Sequence, residues 1–395
     1  MNIDANANSK RRTCRLICPL LACVIVLLCS PTHAQYPPAD LKKNPFLLGV
    51  PVDLSVPEPP VAFQGTDRKF HLAYELHLTN FSKADLMLKQ LEVLDDSTGN
   101  VLANYSSSGL KERLRSLASS TPSQSLPEGS VDVVFIWLDF TSPDVPRTLK
   151  HRLQVFAPVF PRQKVQVVEG GSTQVAEEAR VIGPPLRGGG WYAANGPSND
   201  SHHRRTLIAV GGRARIPERF ATDWAREENG ELLKGDSSKN SNYFGYGAEV
   251  LAVADATVVY VLDGVPENRG DAETRTAPIT LKNIGGNCVI LDIGQHQFAF
   301  YAHLQPHSIR VNIGDHVNRG QALALVGNSG NATGPHLHFQ ISDANSELAT
   351  EGLPFVFDSV ELVGRASDDE KFTPLPHPRE LSHVLPLEDD VVRFP

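Results

Sequence analysis

Residues 327–339 read Gly-Asn-Ser-Gly-Asn-Ala-Thr-Gly-Pro-His-Leu-His-Phe, a glycine-rich turn that ends in two histidines separated by one leucine. Alternate residues of a β-strand point to the same face, so the pattern places His336 and His338 side by side, with Leu337 and Phe339 packed behind them. Imidazole serves both as a metal ligand and as a proton carrier near neutral pH. The stretch therefore predicts a strand that carries two histidines into a chemical site.

Two upstream segments show the same alternation. Residues 300–304 (Phe-Tyr-Ala-His-Leu) are predicted to form a strand with His303 on the same face as the tyrosine. Residues 219–224 (Arg-Phe-Ala-Thr-Asp-Trp) are predicted to form another, with Arg219 and Asp223 on one face. We therefore expect three histidines and one carboxylate to meet in one groove.

A series of short motifs surrounds these segments in a fixed order. They are Gly-Ala-Glu-Val-Leu-Ala-Val-Ala-Asp at 247–255, Tyr-Ala-His-Leu at 301–304, Val-Asn-Ile-Gly-Asp-His-Val at 311–317, Gly-Gln at 320–321, Val-Gly-Asn-Ser-Gly at 326–330 and His-Leu-His at 336–338. On these motifs, residues 246–341 resemble the lysostaphin/LytM-type zinc metalloendopeptidases, peptidase family M23, which cut peptide bonds in bacterial cell-wall peptidoglycan. A lone His-x-His would be a weak signal, whereas so many ordered matches are specific.

The resemblance implies a role for each site residue. Members of this family hold zinc through the His and the Asp of a His-x-x-x-Asp motif and through the second His of His-x-His, so Asp223 and His338 would be metal ligands. His303 and His336 would serve as the general base and as the stabiliser or proton donor of the tetrahedral intermediate, in an order that the resemblance leaves open. The histidine of the first motif is replaced by Arg219, which stays protonated and has no lone pair to offer a metal.

A replacement ligand is visible in residues 191–205. Some relatives in this class have a Ser-His before the strand that ends in Ala-x-Asp and no histidine four residues before the aspartate. By this resemblance His203, or alternatively His202, would be the third ligand, and Arg219 would turn aside to pair with a carboxylate or to contact substrate. The other interpretation is that both histidines are solvated loop residues beside a basic pair.

Three protein ligands and one open position suit hydrolysis, because bound Zn²⁺ lowers the pKa of its water to about 7 and polarises a carbonyl group. We therefore predict an exported zinc metalloendopeptidase that acts on peptidoglycan stem peptides or cross-bridges. The alternative is a catalytically inactive LytM-type module that binds the cell wall or activates a separate amidase. Arg219 motivates the alternative, and the presence of every other site residue favours the enzyme.

Residues 1–34 are typical of an export signal, with a basic start, an apolar stretch at 16–29 and Thr-His-Ala at 32–34. The apolar stretch is short for a membrane span, so we expect a periplasmic or extracellular protein without stable membrane insertion. Leu-Leu-Ala-Cys at 20–23 leaves a lipoprotein signal as an alternative.

Charge and cysteine content exclude several classes of protein. The full chain carries a net charge of −8, and removing a signal with four basic residues and one acidic residue leaves −11. This balance argues against nucleic acid or anionic lipid as a partner. The family resemblance implies peptidoglycan peptides as the partner. Four of the five cysteines lie in the signal, so Cys288 remains alone and no disulfide framework is expected.

The predicted fold class is all-β. We expect a signal peptide at 1–34, a β-sandwich at 35–168, a linker at 169–190, a mainly antiparallel peptidase domain with an open groove at 191–361 and an irregular tail at 362–395. Strands are predicted at 70–78, 88–93, 131–138, 152–159, 250–262, 288–293, 297–304, 321–327 and 336–341, with a short helix at 110–117.

Overall fold

The computed structural model describes residues 50–116, 124–157, 164–176, 179–271, 273–367 and 371–395, all within one compact unit, Gly49–Pro395. The export signal predicted at 1–34 lies outside these residues. The all-β prediction is confirmed, since about half of the chain is strand and 4% is helix. Among the described residues, no helix has the length and apolar character needed to cross a membrane.

The N-terminal part is a sandwich of two antiparallel sheets. Its elements are β1 (Val52–Ser55), β2 (Phe63–Gln64), β3 (Phe70–Asn80), β4 (Leu86–Asp95), β5 (Val101–Ser106), α1 (Ser107–Arg113), β6 (Leu114–Ser116), β7 (Ser125–Leu126), β8 (Val131–Phe140), β9 (Thr148–Phe156) and β10 (Gln166–Gln174). One sheet has the order β1-β3-β8-β6, with β2 on β3, and the other has the order β10-β9-β4-β5, with β7 on β4. Strands occur at the four positions predicted here, and the helix predicted at 110–117 begins earlier and ends at Arg113.

Strand β8 is buried on both faces, and this joins the sandwich to the rest of the chain. Val134 and Ile136 belong to the sandwich core, whereas Val133 and Phe135 pack against Ile216 on the opposite face. A strand of this kind appears in the sequence as a continuous apolar run rather than as an alternation. The sheet that carries β3 and β8 therefore forms a common wall for both parts of the molecule.

The C-terminal part contains one sheet of 11 strands. The elements are β11 (Arg180–Ile182), β12 (Gly188–Ala194), α2 (His202–Arg205), β13 (Ile208–Val210), β14 (Arg213–Arg215), β15 (Thr222–Arg226), a 3₁₀ turn (Asn240–Asn242), β16 (Glu249–Leu251), β17 (Ala256–Leu262), β18 (Asn287–Asp292), β19 (Phe298–Leu304), β20 (His316–Val317), β21 (Ala322–Leu325), β22 (Leu337–Ser342), β23 (Gly352–Leu353), β24 (Phe355–Phe357), β25 (Val360–Ala366), β26 (Phe372–Leu381) and β27 (Asp390–Phe394). The large sheet has the order β20-β17-β18-β19-β22-β15-β12-β27-β25-β26, with β23 on β22. The single strand predicted at 250–262 is divided between β16 and β17.

The segment predicted as a linker, 169–190, is largely strand. Its first residues continue β10, which pairs with β9 and contains a bulge between Gly170 and Thr173. Gly171 adopts a φ of 61°, and a Cβ at this position would lie 2.9 Å from Leu76 Cδ1. The glycines that suggested a flexible connection therefore permit a close approach of backbone to the sandwich core.

The prediction of an irregular tail at 362–395 was wrong, because three strands of the large sheet come from it. Strand β27 pairs with β12 and β25, and its side chains Val391, Val392 and Phe394 are buried. The proline-rich β26 lies at the edge of the sheet, where a missing backbone N–H is tolerated. The tail is polar on average, so its composition gave no sign of the short apolar strand β27, which pairs with strands distant in sequence.

Replacing Phe394 with Ala tests the role of this tail. The Phe394 ring lies 5.2 Å from the rings of both Trp224 and Phe357, measured between centroids, and the residue is 1% exposed. We expect Phe394→Ala to lower the free energy of unfolding by about 3–5 kcal/mol in urea denaturation. The matched control is Phe81→Ala, at a phenylalanine that is 72% exposed, which should change it by less than about 0.5 kcal/mol. Equal effects of the two substitutions would contradict the fold described here.

Candidate metal centre

Strand register places Asp223 directly opposite His338. Asp223 lies on β15 and His338 on β22, and the two are paired in the antiparallel ladder, where opposite side chains on one face are neighbours. The His338 Nδ1 atom lies 2.9 Å from Asp223 Oδ1. Asn195 Nδ2 donates to the second carboxylate oxygen over 2.9 Å.

His336 precedes the first residue of β22 and reaches the same carboxylate. Its Nδ1 donates to the Gly334 carbonyl oxygen over 2.8 Å, and its Nε2 lies 3.4 Å from Asp223 Oδ1. The spacing of two residues therefore brings His336 and His338 to one side of the strand, as the sequence pattern predicts.

His303 lies in the groove, but the alternation of side chains along a β-strand does not account for its orientation. The expected shared face with Tyr301 is wrong, because Tyr301 is buried in the main core and its hydroxyl accepts a hydrogen bond from Val253 N–H. His303 instead has a φ of 63°, in the left-handed region, and lines the groove beside Phe300. Such a backbone conformation is unusual for a residue with a Cβ, and strain of this kind clusters at functional sites.

Hydrogen bonds hold both the backbone and the ring of His303. The backbone N–H donates to the Gly285 carbonyl oxygen over 2.8 Å. The ring Nδ1 lies 2.9 Å from the Ser329 carbonyl oxygen. The ring centroid lies 4.8 Å from that of His336 and 5.9 Å from that of His338. Burial and the neighbouring His336 and His338 keep the pKa of His303 well below its usual value, so its ring is neutral.

Of the two histidines in α2, His203 is the one that contacts Asp223. Its Nε2 lies 3.3 Å from Asp223 Oδ2, and its Nδ1 donates to the Asn195 carbonyl oxygen over 3.0 Å. His203 is 6% exposed, whereas His202 is exposed at the rim of the groove. One donor atom each from His203, Asp223 and His338 lies within 4.8 Å of the other two.

The hydrogen bonds around these three residues direct lone pairs towards one point. The Asn195 carbonyl accepts from His203 Nδ1–H, which leaves Nε2 facing the carboxylate. Gln340 Oε1 accepts a hydrogen bond from His338 Nε2–H over 3.0 Å, which leaves the Nδ1 lone pair facing the same carboxylate. Partners of this kind fix the tautomer of a metal-binding histidine. Two imidazole nitrogens and one carboxylate oxygen form a donor set that fits a catalytic Zn²⁺ with one open position.

The pKa values of these residues also indicate that the cluster favours a positive charge beside Asp223. Burial lowers the pKa of His203, but the adjacent Asp223 carboxylate more than reverses this effect and raises the pKa to about 9. Burial likewise opposes the raised pKa of His338, which the hydrogen bond to Asp223 produces. The pKa of Asp223 would be raised by burial, yet His203 and His336 bring it well below its ordinary value. A cation or protons must therefore lie between these groups.

Arg219 lies in a turn before β15 and not on the strand that the sequence predicted. Its side chain is 7% exposed, with Nε 2.9 Å from Glu75 Oε2 and Nη2 2.9 Å from Glu351 Oε2. Its Nη1 donates to the Gly352 carbonyl over 3.0 Å. Arg219 thus pairs with carboxylates, one of which belongs to the sandwich strand β3.

A groove with a volume of about 530 Å³ opens over the cluster. Sequence reasoning missed three residues here: Gln340, Asn195 and Glu347. Gln340 could have been found, because it follows His338 by two residues on the same strand face. Asn195 offered no signal, since it acts through its backbone carbonyl and through a contact between distant segments. Glu347 lines the groove, and burial raises its pKa to about 7.

Comparisons with known proteins identify a peptidase family in part of the chain. The model of Peptidase family M23 matches residues 243–350. The peptidoglycan DD-endopeptidase ShyA of Vibrio cholerae serotype O1 is 43% identical over 56 residues, which are 14% of this chain and 13% of ShyA. Lysostaphin of Staphylococcus simulans is 36% identical over 76 residues, which are 18% of this chain and 15% of lysostaphin.

Among solved structures, a zinc containing peptidase from Vibrio cholerae is 15% identical, with a TM-score of 0.27, and the match covers 76% of this chain and 86% of that one. The chain spans less than a sixth of the length of the two curated relatives. The ligand candidates His203 and Asp223 precede the range matched by the family model, whereas His303, His336 and His338 lie within it. The match to Peptidase family M23 is confined to residues 243–350, and it confirms the resemblance that the motifs at 246–341 predict.

Proposed function

We propose that this protein is an exported zinc metalloendopeptidase that hydrolyses peptide bonds in peptidoglycan stem peptides or cross-bridges. One observation carries the proposal: the donor atoms of His203, Asp223 and His338 converge within 4.8 Å, beside the imidazoles of His303 and His336. The M23 family match and the peptidoglycan DD-endopeptidase among the relatives support the reaction class and the substrate. The acidic net charge of −8 fits a peptide substrate better than nucleic acid.

In this proposal His203, Asp223 and His338 hold the metal. Bound zinc supplies a Lewis acid and a water whose pKa is near 7. Asn195 and Gln340 keep the two ligand histidines in the tautomers that direct a lone pair towards Asp223. His203, His303 and His338 are each less than 10% exposed, and this burial strengthens the electrostatic contacts within the cluster.

His303 and His336 carry protons in the proposed reaction. Each ring donates its Nδ1–H to a backbone carbonyl, that of Ser329 and that of Gly334 respectively. Both rings therefore present Nε2 to the groove. The ring with a free Nε2 lone pair would accept the proton of the attacking water, and the other ring, when protonated on both nitrogens, would donate its Nε2 proton to the tetrahedral intermediate. Arg219 pairs with Glu75 and Glu351, and His203 would supply the ligand that the first motif lacks, which supports the enzyme over the inactive module.

Metal content of single variants tests the ligand set. The protein without residues 1–34 should hold one zinc per chain, and His203→Ala, Asp223→Ala and His338→Ala should each lose it, as measured by elemental analysis after dialysis. His202→Ala is the matched control, because His202 neighbours the ligand but is exposed. Zinc loss in His202→Ala together with zinc retention in His203→Ala would show that the ligand is His202 and that the assignment to His203 is wrong.

Replacing His336 with Ala separates proton transfer from metal binding. We expect His336→Ala and His303→Ala to keep the zinc and to lower kcat on cross-linked peptidoglycan fragments by about 10²–10⁴, the usual range for loss of a general acid or base. Cys288→Ala is the control, since this thiol is buried on β18 and should not affect the rate. Zinc loss in His336→Ala as complete as in His338→Ala would overturn this division of roles. A zinc-loaded wild type that cleaves no peptidoglycan would support the inactive module.

A further inference from the structure

The segment that carries His203 has two anchors, and one of them is the N-terminal sandwich. The first anchor is Asn195, whose carbonyl oxygen accepts hydrogen bonds from His203 Nδ1 and from Ser201 Oγ. The second anchor is Arg204, the next residue in α2, which is completely buried. Its Nη2 donates to the Tyr74 carbonyl over 3.0 Å and to the Ile136 carbonyl over 2.9 Å. The Arg204 guanidinium therefore bridges backbone carbonyls of the two neighbouring sandwich strands β3 and β8.

Glu75 on β3 supplies the negative charge for this anchor. Its Oε1 lies 3.3 Å from Arg204 Nη2, and its Oε2 lies 2.9 Å from Arg219 Nε. Burial lowers the pKa of Arg204 to about 10, with Glu75 opposing the shift, so the guanidinium stays charged at neutral pH. Removing the carboxylate would leave two buried guanidiniums with less counter-charge, which is a costly arrangement.

Arg205, the next residue, also contacts the N-terminal sandwich. Its guanidinium lies 4.4 Å from the centroid of the Phe135 ring, and its Nη2 donates to the Glu112 carbonyl over 3.3 Å. Arg115 on β6 donates to the Arg205 carbonyl oxygen. Of three consecutive residues of α2, His203 faces Asp223, whereas Arg204 and Arg205 face the sandwich.

A helix of four residues cannot hold His203 in place by itself. The first turn of a helix costs more conformational entropy than its hydrogen bonds return, and α2 has no side-chain cap at its N-terminus. The position of the His203 ring relative to Asp223 therefore depends on contacts outside the helix. Those contacts are Asn195 on one side and the sandwich on the other.

We propose that Glu75 and Arg204 are positioning residues, through which the N-terminal sandwich holds the metal ligand His203 against Asp223. The metal affinity of the centre then depends on the N-terminal domain, although that domain contributes no ligand. This inference rests on the proposed function, because it requires His203 to bind the metal.

The test measures the zinc dissociation constant of the protein without residues 1–34 by competition with a chromophoric chelator. Glu75→Gln keeps the shape of the side chain and removes its charge, and we expect zinc binding to weaken by about 10–100-fold, the usual effect of losing a residue that orients a ligand. Glu92→Gln is the matched control, since Glu92 pairs with Arg152 over 2.9 Å in the other sandwich sheet. Its zinc affinity should equal that of the wild type.

A double variant shows whether Glu75 acts through His203. In the His203→Ala background, Glu75→Gln should cause no further loss of zinc affinity, whereas independent effects would multiply and contradict the proposal. Cobalt substitution gives a second readout, because the visible absorption of Co²⁺ depends on its ligands. The spectrum of Glu75→Gln should shift towards that of His203→Ala, and a spectrum identical to the wild type would contradict the proposal.

Arg204→Lys covers the case in which Glu75→Gln does not fold. This substitution keeps the charge but cannot bridge two carbonyls in the geometry of a guanidinium, so zinc binding should again weaken in a protein that circular dichroism shows to be folded. If His203→Ala binds zinc like the wild type, the proposed metal centre is wrong and the positioning role falls with it. If His203→Ala loses zinc while Glu75→Gln and Arg204→Lys bind it normally, only the positioning role is wrong.

Discussion

The buried carboxylate of Asp223 is the constraint on which the site depends. The pairing of β15 with β22 places it opposite His338, and His203 and His336 approach it from other segments. A buried anion is stable only with positive charge or hydrogen-bond donors around it, and among the described residues this one is bound by the Asn195 amide and the imidazoles. The proposed zinc satisfies the carboxylate and both ligand histidines together, which explains why groups from distant parts of the chain converge here.

In this protein an arginine occupies the position where the family resemblance implies a ligand histidine. Arg219 stands there and binds Glu75 and Glu351, so the turn before β15 has become part of a buried ion-pair network with the sandwich. His203 comes from a segment that is seated on the same sandwich through Arg204. Glu75 contacts both arginines and so connects the turn that carries Arg219 and the segment of the proposed ligand His203 to one sandwich strand.

Local periodicity predicted much of the site, and non-local contacts account for what it missed. The alternation of His336 and His338 on one strand placed both correctly, and His303 was expected in the groove, although a φ of 63° and not strand alternation brings it there. Spacing could not decide between His202 and His203, because the choice depends on which residue of α2 faces Asp223, and contacts with distant segments determine that orientation. The strands in the tail were missed for a similar reason: β27 is specified by its pairing with β12 and β25, and not by the composition around it.

X-ray absorption at the zinc edge of the metal-loaded protein tests the central claim most directly, because it reports the ligand atoms themselves. The account predicts a first shell of nitrogen and oxygen atoms at about 2.0–2.2 Å, with the outer-shell scattering of two imidazole rings. The His203→Ala variant, kept at a zinc concentration high enough to fill its weakened site, should show scattering from one ring only. A wild-type spectrum with one imidazole, or one that His203→Ala leaves unchanged, would contradict a centre built from His203, Asp223 and His338.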